Sequence, residues 1–156
     1  MPDSVDQFTE IPFDNENPSS RLPPDGSFRR ATTLIASFGY AFTGIAYAFR
    51  TQRNFKIHAV MTALVIAAGF IFQVTIQEWE ALAVVIGLVF QTELTNTAVE
   101  AIVDRISPDY HELAKVAKDC SAAAVLVTAI ASTIVGLAIF GHHIMAIAQG
   151  LGLWPG

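Results

Sequence analysis

The sequence predicts an all-α integral membrane protein in which one amphipathic surface helix precedes three transmembrane helices. Three observations lead there. Hydrophobic residues make up 53% of the 156 positions, and mean hydropathy is positive. Three apolar runs are long enough to cross a hydrocarbon core of ~30 Å at ~1.5 Å per helical residue. The basic residues also fall on alternate connections between those runs. A soluble bundle would show a polar face in every helix, and the C-terminal third shows none.

The net charge of -5 belongs to one end of the chain. Of 14 acidic and 9 basic residues, six acids and one Arg lie in residues 1–28, so the remaining eight of each sign balance. No basic field for nucleic acid exists. Residues 1–28 combine acids, Ser and Asn with Pro2, Pro12, Pro18, Pro23 and Pro24. Such a composition buries too little apolar surface to offset ordering, and a disordered acidic tail is expected. It lacks the basic start and apolar run of a signal peptide. Cys120, the only cysteine, excludes an intrachain disulfide and is expected to be a small buried residue.

The membrane domain is expected over 29–145, followed by a short tail over 146–156. In 29–52, Leu34, Phe38, Ala41, Phe42, Ile45 and Phe49 recur at three- and four-residue spacing, opposite Tyr40, Thr43, Tyr47 and Arg50. With Arg29, Arg30, Arg53 and Lys56 at its ends, this pattern suits a helix lying in the membrane interface. A first span is expected over 57–76, with His58 as an interfacial hydrogen-bonding residue. A tight turn follows, and Trp79 anchors a second span over 79–103 at the far interface. Ser107-Pro108-Asp109 predicts the N-cap and first turn of the next helix. Its span is expected over 120–141, with His142 and His143 at a loose helix end. Basic residues before the first span and between the second and third place the N-terminus in the cytoplasm.

The second span carries the chemistry. Glu93, Asn96, Thr97, Glu100 and Asp104 fall at i, i+3, i+4, i+7 and i+11, one polar stripe on an otherwise apolar helix. Counted from Trp79, Glu93 lies ~21 Å into the membrane, while Glu100 reaches the near surface. An ionised acid at mid-bilayer costs roughly 2.5 to 3.5 kcal/mol, more than packing repays, so a functional role is expected. His111, Lys115, Lys118 and Asp119 share a face at the start of the next helix, and the two polar edges can meet. A lone three-span subunit would turn its stripe toward lipid, so an oligomer is expected.

A set of acids, a Lys–Asp pair and a deeper carboxylate fits a reaction between a water-soluble anion and a lipid hydroxyl. Glu100 can hold a divalent cation, Lys118 can neutralise phosphate, and Glu93 suits a base for an alcohol proton. The spacing equally fits a non-enzymatic oligomer in which Glu93 and Glu100 relay protons or ions. There is no GxxxxGK[ST] loop and no protein-kinase signature.

Glu93-Leu94-Thr95-Asn96-Thr97-Ala98-Val99-Glu100-Ala101-Ile102-Val103-Asp104, followed by Ser107-Pro108-Asp109-Tyr110-His111 and Ala114-Lys115-Val116-Ala117-Lys118-Asp119, resembles the prokaryotic diacylglycerol kinase family. That family includes the undecaprenol kinases, which Arg53-Asn54-Phe55-Lys56-Ile57-His58 resembles in particular. The resemblance implies a homotrimer in the bacterial cytoplasmic membrane that transfers the γ-phosphate of Mg-ATP to a lipid alcohol. It implies Glu93 as catalytic base and Glu100 as metal ligand. Tyr40, Gln52, Asn96, Glu100, Asp109, Tyr110, His111, Lys118 and Asp119 would surround the nucleotide. Gln52 stands where the family usually has a second metal-binding Glu, and Thr43 where it often has a Lys. A neutral carbonyl oxygen at Gln52 predicts weaker metal binding, and a homologue that has lost activity is the other reading of that position.

Overall fold

A computed structural model describes residues 34–151 and 153. The expected acidic tail, the start of the surface helix at 29–33, and residues 152 and 154–156 lie outside the described residues. The chain divides into two units, Met1–Ala41 and Phe42–Gly156. Every regular element among the described residues is a helix: α1 (Leu34–Thr51), α2 (Arg53–Phe72), α3 (Ile76–Ile106) and α4 (Glu112–Gly150). The last three are each long and apolar enough to cross a membrane.

Gln52 separates α1 from α2 by leaving helical geometry alone, at φ −96° and ψ 118°. Its N–H still reaches the Ala48 carbonyl at 2.8 Å, so the chain bends without losing that bond. Phe55 is buried behind this corner, with its ring 6.3 Å from that of Phe49 and 5.0 Å from that of Phe90 on α3. An aromatic wedge of this kind fixes the corner against α3.

At the other end, Gln73 stops α2 earlier than the expected 76 by taking a left-handed φ of 53°. Its N–H turns back to the Gly69 and Phe70 carbonyls. Thr75 and Glu78 then form a capping box that starts α3 at Ile76. Gly69 makes room for the Trp79 ring. A Cβ there would lie 2.5 Å from the indole, so any larger residue would push α2 and α3 apart.

Two expectations at the ends of α4 need correction. Ser107 closes α3 and does not cap the next helix, because Pro108 disfavours helical geometry in the residue before it. The Ser107 N–H bonds the Val103 carbonyl at 2.9 Å, and its hydroxyl donates to the Asp109 carbonyl at 3.0 Å. His111 is the real N-cap of α4, accepting from the Leu113 N–H at 3.2 Å through Nδ1. Nor do His142 and His143 sit at a loose end, since α4 stays helical to Gly150.

Within the second unit α3 is central. It packs along α4, with α2 resting more lightly on both. More of its apolar stretch is buried than of the apolar stretches of α2 and α4. Few of the described side chains are buried, among them Leu82, Val89 and Val103 of α3 and Val125 of α4. Large apolar residues such as Leu64, Phe70, Leu126 and Leu137 point outward, as lipid-facing residues do. Cys120, expected to be buried, is also exposed on α4. At mid-length the Ser132 hydroxyl lies 2.8 Å from the Thr128 carbonyl of its own helix and 3.3 Å from the Val85 carbonyl of α3. What α3 buries besides hydrocarbon is its polar stripe.

Candidate active site

The stripe grades from buried to exposed along α3. Glu93 is 1% exposed, Asn96 6% and Thr97 7%, Glu100 is half-buried, and Asp104 is exposed. Thr97 turns its hydroxyl inward, onto the Glu93 backbone carbonyl at 2.9 Å. Glu93 itself is different, because its buried Oε2 has no hydrogen-bond partner among the described residues. An unsatisfied buried carboxylate oxygen is costly, which marks it as an atom awaiting a donor.

Glu100 is held from two sides by neutral amides. Asn96, one turn earlier on α3, donates from Nδ2 to Glu100 Oε1 at 3.1 Å. Gln52, brought across by the α1–α2 corner, donates from Nε2 to Glu100 Oε2 at 3.3 Å. The other end of the Asn96 amide accepts from the Ser121 hydroxyl of α4 at 2.7 Å. One hydrogen-bonded chain therefore links the corner, α3 and α4 around a single carboxylate.

Gln52, Glu93, Asn96 and Glu100 line an open cleft of about 320 Å³. Gln52, Asn54 and His58 form one wall, Glu93, Asn96 and Glu100 a second, and small residues of α4, Ala122 and Ala129, the third. Beyond it lies an apolar groove of about 400 Å³ between α2, α3 and α4. The two cavities share Ile57, His58 and Ala129, so the polar cleft continues into hydrocarbon.

Other expected site residues lie elsewhere. Lys118 pairs with Asp104 across α3 and α4 at 2.5 Å, and Lys115 pairs with Asp119 on α4. Neither Lys118 nor Asp119 lines the cleft. Asp109, Tyr110 and His111 occupy the exposed α3–α4 connection. Tyr40 is exposed on the part of α1 that belongs to the first unit. Sequence reasoning missed Ser121, which is one small polar residue at the edge of an Ala-rich run. It also missed Asn54 as a lining residue and the Asp104–Lys118 pair.

The donor set is hard oxygen: one carboxylate, two amides able to turn their carbonyls, and the free oxygen of Glu93. No group of three or more His, Cys, Asp or Glu side chains forms a metal cage among the described residues. Magnesium fits such a site, since it is typically held by one or two carboxylates together with substrate phosphates.

Residues 39–140 match the prokaryotic diacylglycerol kinase family. The chain belongs to this family. A diacylglycerol kinase of Synechocystis sp. is 49% identical over 107 residues, covering 68% of this chain and 61% of that protein. An undecaprenol kinase of Bacillus subtilis is 46% identical over 107 residues, covering 69% of this chain and 87% of the other. A diacylglycerol kinase of Escherichia coli is 32% identical over 112 residues, covering 72% and 92%. The chain thus spans under two thirds of the Synechocystis protein and most of the other two. The matched region contains Gln52, Asn54, His58, the whole stripe and Ser121.

Proposed function

We propose that this chain phosphorylates a membrane lipid alcohol at the expense of ATP, with Glu93 as the base. The observation that carries this reading is the unpartnered oxygen of Glu93, a residue lining a polar cleft that shares Ile57, His58 and Ala129 with an apolar groove. A lipid alcohol has the same two-part chemistry, a hydroxyl on a hydrocarbon chain. Its chain fills the groove, and its hydroxyl donates to Glu93 Oε2.

The transfer then balances simply. The hydroxyl oxygen bonds to the γ-phosphorus, its proton passes to Glu93, and the bond between the γ-phosphorus and the β–γ bridging oxygen breaks to release ADP. Phosphoryl transfer needs positioning and charge neutralisation more than covalent help, so one base and few charged groups suffice. Magnesium, when bound, would neutralise charge on the phosphates; Glu100 would hold it, with the Gln52 carbonyl as a weaker second ligand. Lys118 reaches phosphate by leaving Asp104, and Asp109, Tyr110, His111 and Asp119 complete the nucleotide's surroundings.

We also infer a homotrimer in the bacterial cytoplasmic membrane with the N-terminus in the cytoplasm. The open side of the polar cleft supports association, because a neighbouring subunit would shield it from lipid. Clustering of Arg50, Arg53, Lys56, Arg105, Lys115 and Lys118 at the Glu100 end of the spans supports the orientation.

The test is phosphate transfer from labelled ATP in lipid micelles, offering diacylglycerol and undecaprenol side by side. Transfer to one lipid, lost in Glu93→Gln, names the substrate and the base. Transfer to neither by folded protein at raised Mg²⁺ removes the kinase reading.

A further inference from the structure

The hydrogen bonds around Asn96 contain a choice that one hydroxyl proton decides. A carboxylate has no proton to give, so the Asn96 group facing Glu100 is the NH₂, and Oδ1 faces Ser121. Ser121 must then donate to Asn96. Yet the same hydroxyl lies 2.9 Å from the Lys118 carbonyl, a second acceptor. With a single proton it serves one of them at a time.

Two arrangements follow. In the first, Ser121 donates to Asn96 Oδ1, and Nδ2 supports the bare Glu100 carboxylate. In the second, Ser121 donates to the Lys118 carbonyl and accepts from Nδ2, which turns the Asn96 carbonyl toward Glu100. Two oxygens facing each other repel when Glu100 is bare. They attract a cation between them when one is bound. Few side chains can partner both ends of an amide, and a hydroxyl is one of them.

We propose that Ser121 is a positioning residue: its hydroxyl sets which end of the Asn96 amide faces Glu100. It thereby gives Asn96 Nδ2 an acceptor once the Asn96 carbonyl turns toward Glu100 and a divalent cation, and so favours the cation-bound arrangement. This rests on the reading of Glu100 as the cation end of the site. Ser121 stands behind Asn96, does not line the cleft, and acts through that amide alone.

Titration with Mn²⁺ followed by electron paramagnetic resonance, on the full chain in nanodiscs with a non-hydrolysable ATP analogue, reads cation binding without turnover. Ser121→Ala is expected to weaken binding about 10-fold or more, as loss of a partner behind a metal ligand does. Ser121→Thr keeps a hydroxyl and is expected to stay within about threefold of wild type, below the loss such a partner causes. Because Ser121 acts through Asn96, Ser121→Ala adds nothing to Asn96→Ala in the double variant. In turnover assays Ser121→Ala raises the KM for Mg²⁺ and leaves the KM for the lipid alcohol unchanged. Wild-type affinity in Ser121→Ala, equal losses in Ser121→Ala and Ser121→Thr, or full additivity with Asn96→Ala would each overturn the proposal. So would a wild-type chain that binds no Mn²⁺. A wild type that binds Mn²⁺ but phosphorylates no lipid sinks the kinase reading, while the Mn²⁺ series still decides the role of Ser121.

Discussion

Two glutamates on one helix, about 22 Å apart along α3, meet opposite fates. Glu78 sits in the first turn with both oxygens engaged. Its Oε2 accepts from the Thr75 N–H at 2.7 Å and the Thr75 hydroxyl at 2.9 Å, and His143 Nε2 lies 3.1 Å from Oε1. Glu93 sits deep in the same helix, 1% exposed, with one oxygen unpartnered. The first carboxylate ties elements together, with a partner on each oxygen. The second contributes little to the fold that a neutral residue could not, so its burial is explained by what it does.

The comparison breaks first at Glu93. If it is the base, Glu93→Gln removes proton acceptance while keeping shape, and transfer should fall by about 10²- to 10⁴-fold. Stability should hold or rise, because an uncompensated buried carboxylate is replaced by a neutral amide. Thermal unfolding in detergent alongside the transfer assay checks both. A variant that unfolds more easily and keeps its activity would put Glu93 in the same class as Glu78.

A smaller effect is expected at the shallow end, where Gln52 and Asn96 share Glu100. Gln52→Glu places a second carboxylate 3.3 Å from the first and should strengthen Mg²⁺ dependence, lowering the KM for Mg²⁺ by about 10-fold, since ligand charge sets affinity. Without Mg²⁺ the two like charges should lower the thermal midpoint, and added Mg²⁺ should restore it. An unchanged Mg²⁺ profile would show that Gln52 supports Glu100 only as a hydrogen-bond donor.

The stripe and the three apolar runs were legible in the sequence because helical periodicity and hydrocarbon length are local properties. Glu93, Asn96, Glu100 and Gln52 do meet in one cleft. Ser121 was not legible, because a serine beside an alanine run looks like small-residue packing until α4 is set against Asn96. The start of α4 misled for a different reason. Ser107-Pro108-Asp109 has the composition of a helix start, but Ser107 was already committed to closing α3, and the cap fell to His111. Likewise His143 read as a frayed end, since its partner Glu78 lies 65 residues away.

The smallest effect on transfer is expected at that distant pair, which makes it the sharpest control. His143→Ala removes the cross-helix bond to Glu78 and leaves the Thr75–Glu78 capping box intact. Glu78→Ala removes both. The thermal midpoint should therefore fall by a few degrees in His143→Ala and further in Glu78→Ala. Per folded molecule, transfer should match wild type in each, because neither residue lines the cleft or the apolar groove. A loss of transfer that exceeds the loss of folded protein would mean that the two ends of α3 are coupled. In that case the clean division between a fastening carboxylate and a working one would fail, and α3 would have to be treated as one rigid lever joining both sites.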